Sequence, residues 1–153
     1  MSERAKFTLW CFGIVLNENN EVLLAHRTDM DMWNLPGGGM EYGEGTWETV
    51  VREVKEETWL DVEVERLIGM YKKPATPDDL VFLFLCTPVW GELTLSDESD
   101  ELWYFALDDF PINTNPKHVS RVKDYFKDPD KLHMRENLEP WSRDFLTSLW
   151  INS

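Results

Sequence analysis

Apolar positions along the chain change period several times, and each change marks a predicted element. Phe7–Leu16 reads as a strand, Asn17–Asn20 as a turn and Glu21–His26 as the returning strand of a hairpin. A polar loop, Thr28–Asn34, leads into Leu35-Pro36-Gly37-Gly38-Gly39, where consecutive glycines read as a turn. From Thr46 to Thr58 the spacing becomes helical, with Trp47, Val50, Val51 and Val54 on one side. Strand patterning returns at Val62–Lys72. After the Pro74–Asp79 loop, Leu80–Val89 is almost continuously apolar, as in a buried strand. Shorter strands are predicted at Leu93–Leu95 and Leu102–Leu107, then a proline-bounded connection, Pro111–Pro116. Two amphipathic helices follow, about His118–Lys127 with a stripe of Val119, Val122, Tyr125 and Phe126, and Glu139–Trp150 with Trp141, Phe145, Leu149 and Trp150. Packing on the sheet is the expected use of both stripes, and a homodimer contact is the alternative. Strands interleaved with one central helix and closed by further helices predict an α/β sandwich around a mixed sheet, with the C-terminal helices as an extension.

The second face of the central helix adds chemistry. At about 100° per residue, Arg52, Glu53, Glu56 and Glu57 fall within an arc of roughly 140°, opposite the apolar side. Like charges at this spacing repel. A solvated acidic face is one reading; a divalent cation that relieves the repulsion is the other. Hard oxygen donors suit Mg2+, with Mn2+ as an alternative, and Mg2+ completes its shell with waters and substrate phosphates.

Composition narrows the partners. A chain of 153 residues suits one domain, and 42% hydrophobic with 13% aromatic residues supplies a packed core. Twenty-nine acids against 15 Lys and Arg give a net charge of −14, which disfavours nucleic acid and anionic membranes. A small phosphorylated substrate remains feasible where a metal, not the surface, provides positive charge. Cys11 and Cys86 lie in apolar runs and read as core thiols. The segment MSERAKF lacks a signal-peptide core, and the apolar run Leu80–Cys86 is far shorter than the roughly 20 residues of a membrane span, so a cytoplasmic protein is expected.

The spacing from Gly38 onward carries a resemblance. Five residues separate Gly38 from Glu44, seven separate Glu44 from Arg52, and Arg52-Glu53-Val54-Lys55-Glu56-Glu57-Thr58-Trp59-Leu60 follows. This resembles the signature of the Nudix hydrolases, G-x5-E-x7-R-E-U-x-E-E-x-G-U with U aliphatic, at every position except Trp59, which stands where the family has Gly. Trp33-Asn34-Leu35-Pro36-Gly37-Gly38 resembles the family's lead-in, and Glu101–Pro111 resembles the strand and loop near the end of its fold. The resemblance reaches over about residues 6 to 112.

That resemblance implies a MutT-like pyrophosphohydrolase with Glu53 and Glu57 as inner metal ligands, Glu56 ligating directly or through water, and the Gly37 carbonyl as a further ligand. Arg52 is expected to orient a glutamate by a bidentate pair, with Glu44 either sharing that pair or favouring the helix dipole. Gly38 and Gly39 would let phosphates approach, and Trp33 would either stack on a base or pack. In the acidic loop Ser96–Glu101, Glu98 is the candidate for a further ligand or general base, against a plain solvated loop. His26, His118 and His133 read as structural or surface residues. The expected substrate is a nucleoside triphosphate, including an oxidised one. ADP-ribose or another nucleotide sugar is the alternative, since Pro74 and Pro77 lie near a proline of that subfamily. A silent binding module is the reading of another class, and the intact Glu53, Glu56 and Glu57 argue against it.

Overall fold

The computed structural model describes residues 3–137. Eight strands occur among them: β1 (Phe7–Val15), β2 (Val22–Arg27), β3 (Trp33–Asn34), β4 (Gly37–Gly39), β5 (Asp61–Lys73), β6 (Asp78–Trp90), β7 (Ser99–Phe105) and β8 (His133–Glu136). Helix α1 spans Thr46–Thr58, α2 spans Pro116–Lys127, and a single 3-10 turn covers Leu107–Asp109. The strands form a mixed five-stranded sheet, β4-β1-β6-β5-β8, and a three-stranded sheet, β3-β2-β7. The predicted helix Glu139–Trp150 lies outside the described residues.

Alternation along β1 sorts its side chains into two cores. Cys11 and Val15 join Leu23, Phe84 and Cys86 beneath Val50 and Val54 of α1. Ile14 joins Leu24, Leu83 and Leu85 beneath Val122 of α2, with Tyr125 and Phe126 packed at its margin. The sheets thus lie between the two helices, an α/β/α sandwich. Val50 and Val54 are fully buried, and each such side chain stabilises by about 1.5–3 kcal/mol. Glycine at position 13 eases the close approach of α1: a Cβ there would stand a tight 3.2 Å from Val50 and 3.3 Å from Cys86 Sγ. The two cysteines are buried and free, and burial pushes both thiols up to about 12, as core thiols rather than nucleophiles.

Four sequence expectations change. β1 and β2 do not make a hairpin. Asn17 closes the turn, its Oδ1 accepting from the Asn19 and Glu21 N–H groups, but only Leu16 and Val22 pair before the strands part into different sheets. The glycine triplet is a strand, pairing Gly37, Gly38 and Gly39 with Phe12, Cys11 and Trp10. Leu93–Leu95 is not a strand, because the chain there runs outside both ladders. Trp47 lies on the rim of the α1 apolar stripe and stays 60% exposed.

Trp59 terminates α1. Its φ of 67° and ψ of 7° are left-handed, and its N–H donates to the Lys55 carbonyl. A bulky residue does what glycine usually does at this position. The indole is half exposed, with Lys55 Nζ 6.0 Å from its ring centroid. Left-handed backbone costs a side-chain-bearing residue about 1 kcal/mol that glycine avoids. Trp59→Gly should therefore exceed Trp59→Ala in stability by about 1 kcal/mol in urea unfolding, since both lose the same indole contacts. Equal stabilities would show that the cap conformation relaxes when the ring is removed.

Candidate metal centre and active site

The site grows from the meeting of α1 with β4. The α1 N-terminus is closed by Glu48, whose Oε1 accepts from the Gly45 N–H at 2.9 Å. Two of its acids, Glu53 and Glu57, point toward the glycine strand one helical turn apart. Gly38 is pressed against Glu53: a Cβ on Gly38 would lie 2.5 Å from Glu53 Oε1. A Cβ on Gly37 would collide with the Cys11 carbonyl oxygen. Gly37 excludes a side chain outright and a side chain at Gly38 would displace the Glu53 carboxylate, so bare backbone forms one wall of the site. The Gly37 N–H donates to Glu57 Oε2 at 3.2 Å.

Arg52 organises the acids from the solvent side. Its Nε and Nη2 donate to the two Glu44 oxygens at 2.7 and 3.0 Å, a bidentate pair. Nη1 donates to Glu53 Oε1 at 3.1 Å and to Glu56 Oε2 at 3.2 Å, and Nη2 also reaches the Gly39 carbonyl at 3.2 Å. The guanidinium holds the Glu44 carboxyl at about 2, helped by the Glu41 N–H and the Thr49 hydroxyl. Glu44 is thus a partner of Arg52 rather than a free group.

Glu98 completes the cluster from the other sheet. Carboxylate oxygens of Glu53, Glu57 and Glu98 lie within 4.8 Å of one another, the one group of three or more such ligands among the described residues. Burial raises the Glu53 carboxyl above its ordinary range despite Arg52. Burial pushes Glu57 up to about 8, with Glu53, Glu98 and Glu56 adding repulsion and the Gly37 N–H opposing the rise. Three oxygen donors that resist sharing their charge fit a hard divalent cation. Glu56 stands apart: its carboxylate is exposed and bound to Arg52. Of the residues singled out from sequence, Gly37, Gly38, Glu53, Glu57 and Glu98 therefore converge, while Arg52, Glu44 and Gly39 support them from behind.

Trp33 is 7% exposed and packs edge-on against His26 and Phe105, with ring centroids 5.2 and 5.1 Å away. Its remaining edge lines a groove of about 520 Å3 shared with Leu95, Asp100 and Trp103. Next to it, Asn34 Oδ1 is buried with no hydrogen-bond donor, the one such side-chain atom among the described residues. His118, read from sequence as structural, is buried and accepts the Leu35 N–H on Nδ1 at 2.9 Å. The ring is neutral, its pKa driven well below the ordinary value by burial, and it anchors the segment that ends in β4. Nothing local in the sequence announces that bond, which spans 83 positions.

The NUDIX domain family model matches residues 9–148. The chain is similar to a Bacillus subtilis protein named "Putative 8-oxo-dGTP diphosphatase", 31% identical over 121 residues that cover 78% of this chain and 80% of that one. It is 33% identical to an ADP-ribose pyrophosphatase of Methanocaldococcus jannaschii over 119 residues, 74% of this chain and 70% of that one. In fold it is similar to the crystal structure of a NUDIX hydrolase from Nitrosomonas europaea, with a TM-score of 0.76, 23% identity, and 88% and 82% of the two chains covered.

The Glu57 shift has a sign that can be measured. Burial pushes the folded-state pKa of Glu57 up to about 8, whereas the unfolded chain releases the proton near the ordinary value of 4.5. Metal-free stability is therefore highest below the lower value and is lost as pH rises toward the upper one. In chelator, urea midpoints of the wild type should fall between about pH 5 and 8 and level off above, and those of Glu57→Gln should fall less. His26, whose pKa is also raised, contributes with the same sign but is present in both proteins, so the difference isolates Glu57. Parallel curves would show that Glu57 is already ionised at neutral pH without metal.

Proposed function

Because the chain belongs to the Nudix family, whose members hydrolyse phosphoric anhydrides of nucleotides, we propose that it is a Mg2+-dependent pyrophosphohydrolase of nucleoside triphosphates, oxidised ones included. The observation that carries this reading is the convergence of Glu53, Glu57 and Glu98 against the glycine strand. A divalent cation held by these three carboxylates would neutralise the diphosphate and acidify a water for attack on phosphorus.

The protein groups have distinct tasks. Gly38 and Gly39 present bare backbone next to the acids, which the substrate phosphates would approach. Arg52 fixes the Glu53 rotamer through Oε1 and keeps Glu44 ionised. Glu98, exposed and on a loop, is placed to take the proton from the attacking water on a carboxylate oxygen. The water oxygen bonds to phosphorus, the anhydride P–O bond breaks, and the products are a nucleoside monophosphate and the remaining phosphate fragment. Mg2+ suits the all-oxygen donor set, and Mn2+ should substitute.

Glu53→Gln and Glu57→Gln should each lower kcat at least about a hundredfold with Mg2+ present, while leaving a folded protein, because each removes one negative ligand at nearly constant shape. The measurement is release of phosphate and nucleoside monophosphate across a panel of canonical and oxidised nucleoside triphosphates and ADP-ribose. Full activity of Glu57→Gln in chelator would overturn the metal assignment. Preference for ADP-ribose over every triphosphate would overturn the substrate class and leave the metal assignment standing.

A further inference from the structure

Glu98 is an exposed loop acid held close to two other carboxylates, where repulsion favours its swinging into solvent. Something must oppose that swing. The ladder between β2 and β7 indicates what does. His26 pairs with Glu101 and Arg27 with Ser99, so Asp100 has no partner across the strands and is the extra residue of a β-bulge. Such a bulge bends its strand and re-aims the side chains on either side. Here the bulged Asp100 turns onto His26, with Oδ1 2.6 Å from Nδ1. The other ring nitrogen, Nε2, lies 2.8 Å from Asp31 Oδ1. Both ring nitrogens meet carboxylate oxygens, an arrangement that favours the protonated ring, and in that form both nitrogens donate. Asp31 is itself held by the Asn113 amide, which donates to its Oδ1 at 2.8 Å.

The same bulge borders Glu98. The Thr28 N–H donates to the Glu98 carbonyl at 3.3 Å, and the Thr28 hydroxyl donates to the Asp97 carbonyl at 3.3 Å. Within the turn the Glu98 N–H donates to Ser96 Oγ at 3.2 Å and Ser96 bridges Ser99, so these bonds fix the peptides of the exposed turn on its Thr28 side. The Asp31–His26–Asp100 bridge fixes the strand two residues beyond Glu98 from the other.

We propose that His26 is a positioning residue: by bridging Asp31 and Asp100 it locks the β7 bulge and thereby sets the Glu98 carboxylate beside Glu53 and Glu57. The inference rests on the reading of those three acids as a divalent-metal centre, and deepens it. His26 is not one of the three clustered acids. Its effect passes through the backbone from Asp100 to Glu98, as outer partners of a metal site orient the groups that bind the ion.

The test is a double-mutant cycle on Mn2+ affinity, read from the EPR signal of free Mn2+ without substrate. The proteins are wild type, His26→Ala, Glu98→Gln and the double variant, with Glu57→Gln alongside. His26→Ala should weaken Mn2+ binding about tenfold, the lower range for loss of an outer partner. The double variant should bind no more weakly than Glu98→Gln alone. Melting curves in chelator establish that each variant is folded. If His26→Ala does not fold, Asp31→Ala, at an exposed position, removes one end of the bridge and takes its place in the cycle. Unchanged affinity in the His26 or Asp31 variant, or an equal loss with and without Glu98, would overturn the positioning role while the metal reading stands. Wild-type affinity in Glu57→Gln would overturn the metal reading itself, and the inference with it.

Discussion

The arrangement of the site depends on one guanidinium. Arg52 meets both oxygens of Glu44, one of Glu53, one of Glu56 and the Gly39 carbonyl, tying the loop before α1, the helix itself and the glycine strand to a single planar group. Lysine could not do this, since only the planar fork presents donors in several fixed directions at once. Without that charge, the acids of α1 would face one another with little to oppose their repulsion. With it, Glu44 and Glu56 are satisfied, and Glu53 keeps one oxygen bound while its carboxyl remains close to the buried Glu57.

Burial then separates the acids by role. Glu44 is held at about 2 and stays ionised under all ordinary conditions. Glu57, on α1 itself, is pushed up to about 8 because the fold encloses it against the Gly37 peptide. One carboxylate supports the structure, and the other carries a charge that the folded protein alone accommodates poorly. That imbalance is what a divalent cation relieves, so the strain of the metal-free site and its proposed chemistry have the same origin. Under the proposed function, removal of the divalent cation should accordingly be felt as a change of stability as well as of rate.

The sequence made α1 legible to its ends, Thr46 and Thr58, because helical periodicity on the apolar face and the acids on the other agree. It made Glu53, Glu57 and Arg52 legible through their spacing. It did not reveal that the glycines form a strand, since glycine has little strand preference of its own and the pairing is imposed by Trp10, Cys11 and Phe12. The turn at Asn17 formed as its residues predict, yet the strands beyond it diverged because β1 pairs in parallel with β6 over nine positions. Edge strand β8, four mostly polar residues, carries no alternation strong enough to read. The bridge around His26 was equally hidden: its partners lie 5 and 74 positions away, and only the bulge brings them together.

The account turns on a divalent ion sitting between α1 and the β7 loop. The most direct measurement is an anomalous difference map from crystals of the wild-type protein grown with Mn2+. A peak about 2.0–2.3 Å from carboxylate oxygens of Glu53 and Glu57, with Glu98 facing it, is the predicted result. No density at this cluster, in a preparation whose hydrolysis of its substrate depends on Mn2+, would contradict the account and place the metal elsewhere in the protein.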